Sequence, residues 1–176
     1  MFSFFKKVFK KSSTESHKSN QHSYDVTPEQ QDTLAEAYSL LKVQIVMYRQ
    51  ARENNLYPDA YIEDPELITH WVVGYVTGLL DGITQYRHNR AQYTEDMLAL
   101  LYEVVFTERN LMTALGHYAS AVAVKDSPQD PFYPVFKEFD KGLRDGFAMF
   151  FDALDGKPSM RLWKALVDGG IPSTSS

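Results

Sequence analysis

The sequence predicts an all-α domain, a bundle of four long helices plus a short C-terminal helix. Three observations point there. Five stretches repeat apolar residues at the 3.6-residue helical period, and each is flanked by cap or stop residues. No stretch carries the two-residue alternation of a strand above that signal. Three glycines recur every fourth residue, Gly74, Gly78 and Gly82, inside the most apolar stretch. That spacing puts them on one helical face. Glycine inside a helix costs about 1 kcal/mol against alanine, so three of them ask for a packing reason. The expected reason is close approach of another helix. A shorter copy lies downstream: Gly78-Leu-Leu-Asp-Gly82-Ile83 matches Gly142-Leu-Arg-Asp-Gly146-Phe147 at an offset of 64. The two segments are expected to pack glycine face on glycine face.

The first helix should open at Thr27, with Pro28 at its first position and Gln30 completing a capping box. Its stripe is Leu34, Ala37/Tyr38, Leu41, Ile45 and Tyr48, and it should stop near Asn54-Asn55, before Pro58. The second is expected from an Asp64 cap, with Pro65 first, to about Asn89. It is apolar nearly all round from Trp71 to Ile83, so it should be the most buried. Thirteen such residues containing an aspartate make a core helix, too short to span a bilayer. The third starts at Thr94, with Glu95 and Asp96 at the positive end of the helix dipole. It carries Met97, Leu101, Val104/Val105, Met112 and Leu115, and ends at Gly116 or at Val124.

A loop from Lys125 to Pro131 leads into the fourth helix, which runs to Leu154. Phe132, Phe136, Phe139, Leu143, Phe147, Phe150 and Leu154 line one face, so an aromatic core is expected there. Asp155-Gly156-Lys157-Pro158 stops it. Ser159 should cap a short fifth helix with Leu162, Trp163, Leu166 and Val167, ended by Gly169-Gly170. Residues 27–170 thus form a single domain, and 171–176 are expected to fray. The 64-residue offset also aligns Tyr38 with Tyr102, Leu41 with Val105 and Tyr75 with Phe139. Two copies of a helical hairpin, packed through their glycine faces, are therefore one possible architecture. A plain four-helix bundle is the other.

The N-terminal arm has a different character. Phe2, Phe4, Phe5 and Phe9 are interleaved with Lys6, Lys7, Lys10 and Lys11. As a helix, residues 1–11 put Phe2, Phe5 and Phe9 on one side with lysines flanking them. Such a segment suits an anionic bilayer interface or a protein groove. It lacks the uninterrupted apolar run of a signal peptide. Residues 12–26 read as a flexible polar linker. The charge is split accordingly. The chain is −5 overall, and residues 1–24 hold five lysines and one glutamate, so residues 25–176 carry −9. An acidic body disfavours nucleic acid and suits a basic protein partner.

Chemistry-bearing motifs are scarce. There is no cysteine, which excludes disulfides, thiolate metal sites and a cysteine nucleophile. The five histidines form no sequence cluster. Glu66 and His70 lie one turn apart, but two ligands do not make a metal site. The Glu-x-x-His pairs of di-iron bundles are missing. So are the Glu-Glu-x-x-Glu of helical nucleotide pyrophosphatases, a nucleophile elbow, and a phosphate loop after a strand. Tyr86-Arg87-His88-Asn89-Arg90 is a basic cluster that complements a helix C-terminus. Asp81 and Asp145 hold equivalent places in the two glycine segments. If they meet, paired carboxylates would raise one pKa or bind a cation. Otherwise each would bond a tyrosine hydroxyl, a backbone group or Arg144.

Gly74-Tyr75-Val76-Thr77-Gly78-Leu79-Leu80-Asp81-Gly82 resembles the Gly-Tyr-(Ile/Val)-x-Gly-x-x-Asp segment of small helical immunity proteins that neutralise type VI secretion amidases. The likeness spans about nine of 176 residues. Members of that family are exported and carry cysteines near this segment, unlike this chain. The likeness implies a bacterial immunity protein.

The functional expectation is a non-enzymatic protein-binding helical protein, of adaptor or immunity type, with no cofactor. Its N-terminal segment would dock it at the inner face of a membrane from the cytoplasm. The alternatives are a metal-binding or hydrolytic enzyme built on Asp81 and Asp145, and a carrier of lipid or another apolar ligand.

Overall fold

Thr27 opens α1 (Pro28–Glu53) with the reciprocal bonds of a capping box. Its backbone N–H donates to Gln30 Oε1 at 2.7 Å, and Gln30 N–H donates to Thr27 Oγ1 at 3.3 Å. The computed structural model describes residues 24–53, 60–89 and 92–170. The basic aromatic segment 1–11, linker residues 12–23, the stop at Asn54-Asn55, Arg90 and the tail 171–176 lie outside the described residues. Among those described there are five α-helices and no strand.

Asp64 caps only a 3₁₀ turn, Pro65–Leu67, and the second helix starts later than expected. Ile68 leaves helical geometry, and Thr69 supplies a fresh N-cap by accepting Val72 N–H. Helix α2 then runs His70–Arg87. The physical reason is local bonding: Ile68 N–H closes the 3₁₀ turn on Pro65 O at 3.1 Å, and the Thr69 hydroxyl then caps a new helix. Every residue from Trp71 to Ile83 except Asp81 is buried.

Helix α3 (Glu95–Val124) passes Gly116 and continues to Val124, but it breaks at Thr107, where φ is 68° and ψ is 157°. The segment before the 3₁₀ turn lies along this break. Ile62 N–H donates to Val105 O at 2.7 Å, and Asn110 Nδ2 donates to Glu63 O at 2.8 Å. Helix α4 (Tyr133–Leu154) follows the loop, and α5 (Arg161–Val167) closes the bundle. Ser159 does not cap α5; its hydroxyl contacts Met149 Sδ at 3.6 Å. The cap comes from another helix. Gln44 Oε1 on α1 accepts the N–H groups of Leu162 and Trp163 at 3.0 and 3.2 Å.

Helix α2 is the hub. It touches α1, α3, α4 and α5, and packs most extensively on α4. The close approach is set by glycine. A methyl group on Gly74 or Gly78 would overlap the carbonyl oxygen of Phe139 or Leu143. One on Gly142 or Gly146 would overlap that of Trp71 or Tyr75. Helix backbones reach this separation only where no Cβ intervenes. The same contacts show that α2 and α4 run parallel, with Gly74 level with Gly142 and Gly78 with Gly146. The packing register is thus one turn away from the 64-residue sequence copy. Gly82 stands apart: a Cβ there would meet only Phe147, at 3.4 Å, an ordinary contact.

The aromatic face of α4 is buried only in part. Phe139 and Phe150 are in the core and Phe136, Leu143 and Phe147 are half-buried, while Phe132 and Leu154 are exposed. The glycine stripe lies against α2, as its spacing predicts, with Phe139 and Met149 buried on the same helix, so the aromatic core expected on α4 forms only in part.

Candidate functional site

Asp81 and Asp145 are not brought together as a pair. Asp145 is level with about residue 76 of α2, so Asp81 lies roughly 7 Å further along the shared axis at 1.5 Å per residue. Their partners differ too. Asp145 accepts Trp71 Nε1–H at 3.2 Å and pairs with Arg161 at 2.6 Å. It thereby ties α2, α4 and α5 at one point. Asp81 accepts Gln85 Nε2 at 2.8 Å on its own helix. Arg144 pairs with Asp140 at 2.8 Å and does not cross to α2. Among the described residues no three His, Asp or Glu side chains are grouped to hold a metal ion.

The fold does build one histidine pair that the sequence did not announce. His70, at the start of α2, and His117, on α3, bring ring nitrogens to 3.1 Å, with rings edge to face at 4.2 Å. Ser120 Oγ lies 3.1 Å from the same His70 nitrogen. Burial lowers both pKa values; for His117 the neighbouring His70 lowers it further, while Glu138 opposes the shift at both. Both imidazoles are thereby biased toward the neutral form, with the facing nitrogens joined by one hydrogen bond. Two ligands and a hydroxyl, joined by their own hydrogen bonds, make a structural contact.

A cavity of about 360 Å³ opens between the end of α1 and the 61–67 segment. Its charges answer each other. Arg52 donates to Tyr48 OH at 2.7 Å and pairs with Asp64 at 3.5 Å. Arg49 stacks 4.6 Å over the Tyr61 ring and pairs with Glu63 at 3.9 Å. A charged ligand would have to displace these partners.

An aromatic cluster is also left open to solvent. Because α2 and α4 run parallel, their C-terminal ends finish side by side. Tyr86 is 61% exposed, Leu154 50% and Phe151 39%. Phe147 is half-buried beside them, and Phe150 is buried beneath. The rings touch in sequence: Tyr86–Phe150 at 5.4 Å, Phe150–Phe151 at 5.3 Å and Phe151–Phe147 at 5.2 Å. These separations suit edge-to-face and tilted ring contacts. Asp152 and Asp155 stand at the end of α4 beside Leu154, with Lys157 just beyond. The patch is a ring cluster with an acidic border.

Three side chains of this patch, Phe147, Phe150 and Leu154, belong to the α4 stripe read from the sequence as core. Tyr86 was read only as part of a basic cluster. Within that cluster Arg87 pairs with Glu36 at 2.5 Å, and His88 Nε2 lies 2.9 Å from Thr33 Oγ1. Both ties join α2 to α1. No helix among the described residues is long and apolar enough to cross a membrane.

Comparison with protein-family models, with curated proteins and with solved structures finds no match to this chain. Function therefore rests on the chemistry of the chain itself.

Proposed function

We propose that this chain is a non-enzymatic protein-binding helical module of adaptor or immunity type, and that the Tyr86–Phe147–Phe151–Leu154 patch is its docking face. One observation carries the reading: Tyr86, Phe147, Phe150 and Phe151 cluster ring against ring while Tyr86, Phe151 and the neighbouring Leu154 face solvent. Tyrosine and phenylalanine bury much area at low conformational cost, and contiguous apolar patches mark association surfaces. The carboxylates around the patch, within a body of charge −9, suit a basic partner surface. The basic aromatic segment 1–11 adds an address at an anionic membrane, by inserting Phe2, Phe5 and Phe9 while the lysines meet lipid headgroups.

The test is photo-crosslinking from position 151 in the native host, followed by mass spectrometry. The expected result is one dominant protein partner, lost in Tyr86→Asp/Leu154→Asp, a variant that keeps the wild-type melting temperature. A crosslinking profile that this variant leaves unchanged would overturn the reading. Co-sedimentation with phosphatidylglycerol vesicles tests the address, and Phe5→Ser/Phe9→Ser should abolish it.

A further inference from the structure

We infer that, in the free protein, segment 1–11 of this chain covers the Tyr86–Phe147–Phe151–Leu154 patch, so the membrane anchor and the docking face mask each other. This rests on the patch being the docking face.

Position supports it first. The described chain begins at Tyr24, whose hydroxyl donates to Glu103 at 2.9 Å, and Asp25 N–H donates to Asp96 at 2.9 Å. Both acceptors lie in the first part of α3. The start of α1 sits at the same end, because Thr33 and Glu36 contact His88 and Arg87 at the end of α2. The parallel register puts the end of α4 there as well, with Tyr86 against Phe150 and Phe151. The patch and the point where the N-terminal arm leaves the body therefore share one end of the bundle.

Reach is sufficient. Residues 12–23 separate the segment from Tyr24, and a coil of that length spans roughly 20 Å on average and about 40 Å at full stretch. Chemistry is complementary on both counts. Phe2, Phe5 and Phe9 at helical spacing offer rings to a ring cluster, and Lys6, Lys7, Lys10 and Lys11 complement Asp152 and Asp155 at the end of α4. An isolated helix of about a dozen residues is marginal in water, so the segment needs a surface to fold on. The tethered patch is offered at millimolar effective concentration, ahead of any partner in solution. The phenylalanine face cannot lie on the patch and in a bilayer together. A membrane that takes the segment uncovers the docking face.

The absence of native cysteine allows a direct test in the full-length chain. Ser3→Cys and Lys157→Cys take two spin labels, and pulsed electron resonance reads their separation. A docked arm gives a narrow distribution, which Tyr86→Asp/Leu154→Asp broadens. Phe5→Ser/Phe9→Ser should broaden it equally, and that variant leaves the folded body untouched. A wild-type distribution as broad as that of Phe5→Ser/Phe9→Ser overturns the inference. Partition onto phosphatidylglycerol vesicles gives a second reading. With one arm in ten free, uncovering the arm by Tyr86→Asp/Leu154→Asp should tighten binding about tenfold; unchanged partition overturns the inference. The two ideas fail separately. Broad distances with patch-dependent crosslinking remove the masking and leave the docking face. Narrow distances with patch-independent crosslinking remove the partner reading and leave the arm in its seat.

Discussion

Thr107 holds a backbone shape that its branched side chain resists. A φ of 68° with ψ of 157° belongs to a region populated almost wholly by glycine, and costs about 1–3 kcal/mol elsewhere. The bonds from Ile62 to Val105 and from Asn110 to Glu63 hold it there. Thr107→Gly should relieve the strain, less about 1 kcal/mol of added chain entropy. The expected outcome is a melting temperature equal to wild type or a few degrees higher. A clear drop would mean that the threonine side chain itself secures the break. The histidine pair gives a pH dependence with a defined sign. Both folded-state values are lowered, so the unfolded chain takes up protons first as pH falls. This contribution to stability is complete above the ordinary value of 6.5 and is lost as pH falls through and below it. Urea midpoints should therefore fall between about pH 7.5 and 5.5, and His117→Gln should flatten that part of the curve. At this scale the sequence was legible where the partners are neighbours, as in the Thr27–Gln30 box. It was silent where they are not. His70 and His117 are 47 residues apart, and Gln44 caps a helix 118 residues away; no local pattern encodes either.

The glycine helices show how much a spacing can say. A four-residue glycine spacing on two segments pointed to a face without side chains. The register was hidden, because two Gly-x-x-x-Gly stripes can slide by one turn and still present glycine to glycine. The substitution series follows directly. Gly78→Leu or Gly142→Leu should leave no folded protein by circular dichroism, since even a methyl overlaps a facing carbonyl. Gly74→Ala and Gly146→Ala should destabilise strongly for the same reason. Gly82→Ala should be nearly neutral. Gly116, with nothing within 4 Å of a built Cβ, sits in a helix interior, so Gly116→Ala should stabilise by about 0.5–1 kcal/mol. If Gly116→Ala and Gly78→Leu had similar melting temperatures, the close approach of α2 and α4 would be refuted. Gln44 offers a different element-level test. Gln44→Leu would strip two N–H groups of α5 of their acceptor, costing about 1–3 kcal/mol each if they stay buried. Exposure of Trp163, read by acrylamide quenching, should rise in this variant.

On the scale of the whole molecule, one buried helix touches all the others, so no part has a core of its own. Unfolding should be a single transition. Trp71 lies against α4 through Asp145, and Trp163 rides on α5 under Gln44. Their fluorescence and the far-ultraviolet dichroism should give coincident urea curves; separate midpoints would show that α5 detaches first. The bundle class was legible because amphipathic period and caps are local. The mutual arrangement was not, because a parallel α2–α4 pair depends on the path of the long, broken α3 between them. That path has a consequence during synthesis. The apolar α2 leaves the ribosome some 68 residues before the glycines that cover it. At about 5–20 residues per second that is roughly 3–14 s. For that interval the glycine face of the most apolar helix waits without α4 to cover it, a surface open to a chaperone that shields apolar helices.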